Sequence, residues 1–426
     1  MTSHTANKAM HADFLPRAFG AAADGLTKDT AALQAAIDAA GAAGGGRVVL
    51  DRGTFLTGAI ELRSGVELHI AEGARLLASP DIADFPDWPA PRHVIPGNLP
   101  RRRSASVIFA DECEGVAITG GGVIDGNGAF HVRPGDGAPA PCGWSFVRIQ
   151  PMEKSLPRVV FFAGCRDVRV EDVTLANGPA GWGYWIHDCD RVSCLRLTIR
   201  SDLHYPNNDG IHVNCSRDVE IADCDIECGD DAIVARANSR SLREDKPCER
   251  VHAHDCRIRS WCGGVRIAWV NDGAIRDCSF RRLAMRDTCD GVRIVMPHMP
   301  KHPDYGREAT LVERIVFEDI DMEGLHAYPI DAWIDPDPET RVAAVRDVAF
   351  RRVRAESNMF PRFVGRADAP FENFLFEDCS FRLIPNGAEG PWAQQVATRP
   401  GNVEGRFRNT RGFRFVRTER WPDANC

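Results

Sequence analysis

Several features that would assign a chain to a common class are absent from this sequence. No apolar run is long enough to span a bilayer, and the first twenty residues lack the apolar core of a signal peptide. Basic residues form no cluster longer than residues 101–103, and the net charge is −8. We therefore expect a cytoplasmic protein that binds neither membranes nor nucleic acid.

Cysteine is abundant, but its usual signatures are absent. The number is odd, at 15, and neither a Cys-x-x-Cys pair nor a zinc-finger spacing occurs. Cys224, Cys256, Cys278 and Cys379 each directly follow an aspartate. We interpret the cysteines as small, reduced core residues, and we expect no metal and no cofactor. The four that follow an aspartate are predicted to stack on one another.

Short segments of alternating apolar residues recur along the chain with the form apolar-x-apolar-x-Asp/Arg-apolar-x-apolar. The marker residues of this repeat are Asp172, Arg196, Asp223, Asp255, Asp277, Asp319, Arg352 and Asp378. Alternation predicts strands with one buried face, and a smallest spacing of 22 residues predicts a coil that carries loop insertions. The pattern favours an all-β parallel β-helix solenoid over a β-propeller, which needs longer repeats with more hairpin turns.

We expect one domain. Its predicted parts are a flexible tail at residues 1–14, a cap at 15–50, coils at about 51–385 and a C-terminal tail at 386–426. Within the cap, residues 28–46 predict a helix with Asp29 as its N-cap and glycines at its end. The C-terminal tail shows little periodicity and is predicted to lie across the outside of the coils.

Three aspartates stand out from the apolar pattern. Asp209, in NNDG, lies 21 residues before Asp230, which precedes Asp231 in GDD. Adjacent coils lie about 4.8 Å apart, so these carboxyl groups should be neighbours on one face, where Gly229 lets the strand depart from alternation. Like charges that are partly buried raise the pKa of at least one of these carboxyl groups. That group can then serve as a proton donor beside a base. The same compositions are also common in turns.

The order of these motifs resembles that of glycoside hydrolase family 28, the polygalacturonase-like enzymes of the pectate-lyase-like β-helix superfamily. That family carries Asn-Thr-Asp, Gly-Asp-Asp, Gly-His-Gly and Arg-Ile-Lys on successive coils. The corresponding segments here are 207–209 (NND), 229–231 (GDD), 262–264 (CGG) and 293–295 (RIV). The likeness covers about residues 17–385 and implies a right-handed parallel β-helix solenoid with a short N-terminal capping α-helix.

The resemblance implies an inverting glycoside hydrolase that acts on α-linked pectin-type oligosaccharides of the galacturonan or rhamnogalacturonan kind. Asp230 would be the general acid, and Asp209 and Asp231 would hold and activate water. Asn207 would position the substrate or the acid, and Arg293 would bind the sugar. Work on imported oligosaccharides would favour exo-acting cleavage.

Two residues of the family pattern are replaced. Gly263 stands where the family has histidine, and Val295 stands where it has the lysine associated with uronate binding. Arg266 and Lys301 are candidates to restore a cation, and Trp261 is a candidate to lie against the face of a sugar ring. A neutral or differently substituted sugar is therefore an alternative to galacturonate.

The sequence leaves two other functions open. A polysaccharide lyase on the same solenoid would use an Arg or Lys base and Ca²⁺, which the stacked aspartates could bind. A non-catalytic, carbohydrate-binding β-helix would use the aspartates only as turn formers. A lyase would give an unsaturated product in a chelator-sensitive reaction, a hydrolase would give new reducing ends, and a binding module would give neither.

Overall fold

The chain forms a parallel β-helix with a helical cap, which confirms the predicted fold class. The computed structural model describes residues 12–88, 105–134, 149–151, 158–300, 305–384, 406–419 and 421. Among the described residues, one α-helix, Thr30–Ala42, and three 3-10 helices, Pro16–Phe19, Ile82–Asp84 and Gly128–His131, accompany the strands. No helix in this part of the chain combines the length and apolar character that a membrane span requires.

Strands of successive coils pair in parallel and build two long sheets. The first has eleven strands: Ile60–Glu61, Ser106–Asp111, Arg158–Ala163, Trp182–His187, Ile211–Asn214, Ile233–Arg236, Gly263–Ile267, Asp290–Met296, Ile330–Ile334, Arg362–Val364 and Arg406–Arg408. The second has 23 strands: Asp13–Phe14, Asp24–Lys28, Gly46–Leu50, Gly53–Thr57, Val66–Ile70, Ala74–Ala78, Ala117–Thr119, Val123–Asp125, Arg166–Glu171, Thr174–Ala176, Asp190–Leu195, Thr198–Arg200, Arg217–Ala222, Asp225–Cys228, Cys248–His254, Arg257–Ser260, Ala274–Arg286, Thr310–Leu325, Val342–Ser357, Phe371–Glu377, Ser380–Leu383, Thr410–Arg411 and Arg414–Val416. A separate antiparallel pair joins Val132–Pro134 to Ile149–Pro151.

Apolar side chains stack from coil to coil in the interior. Phe280, Phe317, Phe350, Phe376 and Phe415 form one such column, with neighbouring ring centroids 4.8–5.3 Å apart. This separation lies within the range that stacked aromatic rings prefer, so the coil spacing and the ring packing agree. The regular repeat of apolar residues in the sequence thus becomes a continuous core.

The corners of the coils are occupied by residues in the left-handed backbone region. One corner series, with φ between 50° and 62°, is Asp172, Arg196, Asp223, Asp255, Arg282, Asp319, Arg352 and Asp378. It matches the predicted repeat markers except that Arg282 replaces Asp277. Asp277 belongs instead to a second corner series: Asp167, Arg191, Asp218, Arg250, Asp277, Arg314, Asp347 and Asn373. Arginine is unusual in this conformation, but Arg282 donates two hydrogen bonds to Asp255, at 2.6 and 2.7 Å.

This difference at one coil also changes the predicted cysteine column. Cys224 and Cys256 do stack on successive coils. The next coil places Leu283 beside Cys256, and Cys278 lies in another column. The prediction that all four cysteines stack is therefore wrong. The 13 cysteines in the described residues are nevertheless buried and free of disulfides, as expected for core residues.

The cap differs from the prediction at two points. Asp13 and Phe14 pair in parallel with the strand Gly46–Leu50, so the last two residues of the predicted tail belong to the cap. Asp29 precedes the helix, but its carboxylate accepts hydrogen bonds from the backbone N–H groups of Ala22 and Ala23, at 2.7 and 3.0 Å. Asp29 therefore fastens the chain before the helix rather than capping the helix itself.

The C-terminal region also departs from the prediction. Arg406–Arg408 pairs in parallel with Arg362–Val364, and Arg414–Val416 pairs with Phe371–Glu377. Residues 406–416 therefore add a further coil instead of lying across the outside. The rest of the predicted tail lies outside the described residues, apart from residues 417–419 and 421.

A column of alternating charges runs across the outside of the 23-stranded sheet. Strand register places these residues next to one another in turn: Glu114, Arg166, Asp190, Arg217, Glu249, Arg276, Glu313, Arg346, Glu372 and Arg411. We call this column the charge ladder. Opposite charges on neighbouring strands are favourable and like charges are unfavourable, so the ladder favours the observed register.

We expect Glu313→Arg to lower the free energy of unfolding by about 3 kcal/mol. Glu313 is 5% exposed, receives two hydrogen bonds from Arg346 at 2.8 and 3.1 Å, and also contacts Arg314. The substitution would place like charges together in a buried position. Denaturant unfolding of both proteins would measure the difference.

The matched control for this substitution is Glu372→Arg, at a ladder position whose side chain is 35% exposed. Solvent weakens the interaction there, so the expected change is no more than about 1 kcal/mol. Equal effects at the two positions would show that burial does not determine the strength of the ladder.

Candidate active site

The candidate site lies on the outward face of the eleven-stranded sheet. Asp209 and Asp231 each lie just before one of its strands, Ile211–Asn214 and Ile233–Arg236. These two strands pair directly, in parallel. Asp209 and Asp231 are therefore neighbours on successive coils, which confirms the stacking predicted from their spacing.

Asp230 and Asp231 lie in a bend rather than in a strand. The strand Asp225–Cys228 ends before them and Ile233–Arg236 begins after them, so strand alternation does not force their side chains to opposite faces. Gly229 contributes space at this bend, because a Cβ atom there would lie 2.6 Å from the carbonyl oxygen of Leu203. The sequence correctly singled out Gly229, but its role is to allow a close approach of two backbone segments.

Two asparagines fasten this bend to the preceding coil. The side-chain oxygen of Asn208 accepts hydrogen bonds from the backbone N–H groups of Gly229 and Asp230, at 2.6 and 3.1 Å. Asn207 donates its backbone N–H and its side-chain amide to Oδ2 of Asp230, at 3.1 and 3.2 Å. The geometry agrees with the prediction that Asn207 positions the acid. Asn208 was not predicted, although its place between Asn207 and Asp209 was visible.

Asp231 is held between two arginines. Nε of Arg266 contacts Oδ2 of Asp231, and Nη1 of Arg293 lies 3.5 Å from Oδ1. Burial alone would raise the pKa of Asp231, but the two guanidinium groups outweigh burial and lower the pKa below its usual value. Asp231 is therefore an ionised carboxylate although it is only 3% exposed.

Asp230 is shifted in the opposite direction. Burial, together with the charges of Asp209 and Asp231, raises the pKa of Asp230 to about 7 against the opposing charge of Arg266. Near neutral pH this carboxyl group therefore retains its proton in a substantial part of the molecules, beside an ionised neighbour. A protonated and an ionised carboxyl group side by side are what acid–base catalysis requires.

The two departures from the family motifs have physical reasons. A Cβ atom at Gly263 would lie 2.5 Å from Oδ1 of Asp231 and 2.7 Å from Cδ of Arg293. Histidine therefore does not fit at Gly263 while those two groups keep their positions. Val295, at the lysine position, is 1% exposed and lies beside Trp333 of the next strand. Neither position provides a cation to the site.

The three residues predicted to contact substrate beside Asn207 and Arg293 have different surroundings. Arg266 is 5% exposed and contacts Asp231, and its predicted contact with substrate stays a prediction. Trp261 is half-buried and meets His204 edge to face, with ring centroids 4.4 Å apart. Lys301 lies outside the described residues.

Cys262 belongs to the site, although the sequence analysis treated it only as a motif position. Its Sγ atom and one carboxylate oxygen from each of Asp230 and Asp231 lie within 4.8 Å of one another. Nη1 of Arg293 lies 2.6 Å from the same sulfur. Burial raises the pKa of the Cys262 thiol, so it stays protonated and can donate to the carboxylates. The sequence feature that could have placed Cys262 in the site is its spacing of one coil from Asp230.

The composition of this group would also suit a metal ion, since it offers two carboxylates and a thiol. Two arginines stand directly beside it, however: Arg266 contacts Asp231, and Arg293 lies close to both Asp231 and Cys262. Their positive charges oppose a cation at this place. The charge arrangement therefore favours acid–base chemistry.

Aromatic rings cover the sheet on the N-terminal side of Asp209. The rings of Trp88, Phe109, Phe161 and Trp185 follow one another in this order, with centroids 4.8, 5.1 and 4.1 Å apart. The first and last pairs are stacked, the middle pair is tilted, and Trp182 meets Trp185 edge to face. We call these five residues the aromatic wall. All but Trp88 are at most 3% exposed, so the wall is a buried part of the structure.

A loop after the strand Ile233–Arg236 covers the aromatic wall and is fastened to the coil beneath. Leu242 of this loop belongs to the same apolar cluster as the wall. Nζ of Lys246 bonds to Asp188 and Asp190, at 2.8 and 3.0 Å. The loop is therefore held by buried contacts at its middle and by ion pairs at its end.

A parallel β-helix that presents a protonated carboxyl group beside an ionised one on its outward face has the elements of a glycoside hydrolase. Comparison with known proteins agrees. Residues 100–380 match the family model described as glycosyl hydrolases family 28. The chain belongs to this family, which confirms the resemblance seen in its motifs and makes the protein a glycoside hydrolase.

Relatives share much of the chain. A probable polygalacturonase of Vitis vinifera is 29% identical over 393 residues, which cover 88% of this chain and 75% of that protein. An exo-poly-alpha-D-galacturonosidase of Dickeya chrysanthemi is 27% identical over 293 residues, which cover 61% of this chain and 48% of that protein. A solved hyperthermoactive exopolygalacturonase from Thermotoga maritima superposes with a TM-score of 0.70 at 21% identity, covering 96% of this chain and 92% of the other. The last similarity confirms the fold.

Proposed function

We propose that the protein is an inverting, exo-acting glycoside hydrolase of α-linked pectin-type oligosaccharides, galacturonan or rhamnogalacturonan-like. Asp230 donates its proton to the glycosidic oxygen as the bond to the anomeric carbon breaks. A water molecule attacks that carbon from the opposite side, and Asp209 and Asp231 take up its proton. The configuration at the anomeric carbon is inverted in this single displacement.

The observation that carries this proposal is the opposite shift of the two neighbouring pKa values. Asp230 is kept protonated and Asp231 ionised over the same pH range. Oδ1 of Asp231 is buried and accepts no hydrogen bond from the described residues. A buried acceptor of this kind suits a bound water. The site thus combines an acid with a carboxylate oxygen available to a nucleophile.

The aromatic wall supports exo action. An endo-acting enzyme needs a cleft that is open at both ends, whereas buried rings close the sheet on the N-terminal side of Asp209. Trp182 is 3% exposed and lies on the coil directly before Asp209. The Dickeya chrysanthemi relative is named as an exo-acting enzyme, which agrees.

Arg293 supports sugar binding at this site. Its side chain is 11% exposed, and its buried Nε atom lies 3.5 Å from Oδ2 of Asp290. The guanidinium group is a cation at the site, and a cation of this kind suits a hydroxyl or carboxylate oxygen of the sugar. The named polygalacturonase relatives support a pectin-type substrate.

The proposal is tested by following the first product by NMR during hydrolysis of a panel of pectin-type oligosaccharides. We expect a new reducing sugar that first appears as the β anomer, with no unsaturated product and with no effect of chelator. An α anomer would contradict inversion. An unsaturated, chelator-sensitive product would assign the protein to the lyases.

For exo action, we expect the smallest fragment from one chain end to accumulate from the first time point. An oligosaccharide labelled at its reducing end would then shorten in equal steps, because the wall prevents binding across the middle of the chain. Chromatography of the labelled fragments measures this. A mixture of intermediate lengths at early times would indicate endo action.

A further inference from the structure

His212 lies beside the catalytic cluster without an assigned role. It belongs to the strand Ile211–Asn214, in which Ile211 and Val213 are part of the core. Alternation therefore places His212 on the outward face, the same face as the site. In strand register it lies between Trp185 of the preceding coil and Val234 of the following one.

The imidazole of His212 is fixed by two contacts. Its Nδ1 atom lies 2.9 Å from Oδ2 of Asp209, and the two side chains are only 5% and 6% exposed. The indole of Trp182 stacks on its ring, with centroids 3.9 Å apart and an interplanar angle of 23°. The stacking sets the plane of the ring, so its nitrogen is aimed at a single carboxylate oxygen.

Several charged groups surround His212 and Asp209 and affect the ionisation of Asp209. Asp230 and Asp231 face Asp209 from the next coil, and both disfavour a further negative charge. The guanidinium carbon of Arg158 lies 4.9 Å from the centroid of the Trp182 ring, and Val234 lies between Arg266 and His212 in strand register. Of these groups, the N–H of His212 is the donor seen to meet Asp209, and a hydrogen bond to the charged form favours that form.

We propose that His212 is a positioning residue that fixes one carboxylate oxygen of Asp209 and favours the ionised form of this carboxyl group. This inference rests on the proposed function, because Asp209 needs such support only if it activates water. The arrangement resembles that of a catalytic base whose side chain is oriented by a hydrogen bond to a neighbouring group. Histidine at this place would act on the chemical step and not on substrate binding.

The test uses substitutions that separate the donor from the ring. His212→Asn places an amide N–H near the position of Nδ1, whereas His212→Gln places it near Nε2 and His212→Phe keeps only the stacking. We expect Gln and Phe to lower kcat about 30-fold and Asn to lose much less, since a hydrogen bond to a charged group is removed only in the first two. KM should stay the same.

The pH profile provides the readout that a merely structural role would not change. In His212→Phe the acidic limb of kcat should move up by about one pH unit, because Asp209 then holds a proton to higher pH. His187→Asn is the matched control: His187 is fully buried and stacks on Trp185, but it bonds to Asn214 and Ser241 rather than to the cluster. Its acidic limb should not move.

The outcomes distinguish the two proposals. An unchanged kcat and acidic limb in His212→Phe, with activity still dependent on Asp230, would overturn the role of His212 alone. Equal losses of kcat in the Asn, Gln and Phe variants, with no shift of the acidic limb, would show that His212 only packs against its neighbours. This result would also overturn the proposed role of His212. Absence of hydrolysis by the unaltered protein across the panel would overturn the proposed function itself.

Discussion

Asp230→Asn is expected to reduce kcat by about 10³-fold while the protein stays folded, because the amide cannot supply the proton that the leaving oxygen needs. Asn has nearly the same size, so the hydrogen bonds that Asn207 and Asn208 make around the bend can largely persist. Steady-state kinetics on the preferred oligosaccharide would measure the loss. Asp223→Asn, at an exposed corner of the same coil, is the control and should keep full activity.

The same variant has a pH signature. In the unaltered protein kcat should fall as the pH rises through about 7, since Asp230 must be protonated to act. Its pKa is raised above the usual 3.8, so the folded state holds a proton that the unfolded state releases, and stability falls as the pH rises between about 4 and 7. Asp230→Asn removes this penalty and should melt at a higher temperature than the unaltered protein at pH 8. Full activity of this variant would contradict the assignment of Asp230 as the acid.

Arg266→Met is expected to cost both stability and activity. Arg266 is 5% exposed, contacts Asp231 and stacks on Trp269 at 4.3 Å. Removing Arg266 leaves the buried carboxylate of Asp231 with only Arg293, 3.5 Å away, as a neighbouring cation, which lowers the free energy of unfolding by about 3 kcal/mol. The pKa of Asp231 should rise, so kcat should fall about 100-fold at neutral pH and its acidic limb should move to higher pH. Thermal unfolding and a kcat–pH profile measure the two effects.

Two further variants separate these effects. The double variant Arg266→Met with Asp231→Asn removes both charges, so it should regain stability but not activity. Arg236→Met breaks a second buried pair, in which Arg236 donates to Asp272 at 2.7 and 2.9 Å. It should be destabilising without moving the pH profile. An unmoved profile in Arg266→Met would show that Arg266 does not govern the ionisation of Asp231.

The fold could be predicted from the sequence because each coil repeats the same alternation of apolar and polar residues. The exception, Asp277, shows the limit of this reasoning. Its coil contains two corner residues, Asp277 and Arg282, one for each corner series, and the apolar repeat pattern alone assigned Asp277 to the wrong series. Only the pairing of Arg282 with Asp255 on the neighbouring coil decides the question, and that pairing depends on loop lengths that the pattern does not specify.

The candidate site was predicted in part. The spacing of Asp209 from the Asp230–Asp231 pair was sufficient to place them on successive coils, because it is close to the shortest spacing of the repeat, 22 residues. His212 could have been found from the alternation of its strand, which turns it toward the same face as the site. The partner of Arg266 could not have been found, because the direction and reach of a long side chain are settled by packing in three dimensions.

The charge ladder has a consequence for how such a protein can change its length. From Glu114 to Arg411 the sign reverses at every coil. Insertion or loss of a single coil would therefore set two acids or two bases against each other, whereas a pair of coils would preserve the alternation. The smallest module that can be gained or deleted without an electrostatic mismatch is thus a coil pair, so related chains should differ by even numbers of coils within this region.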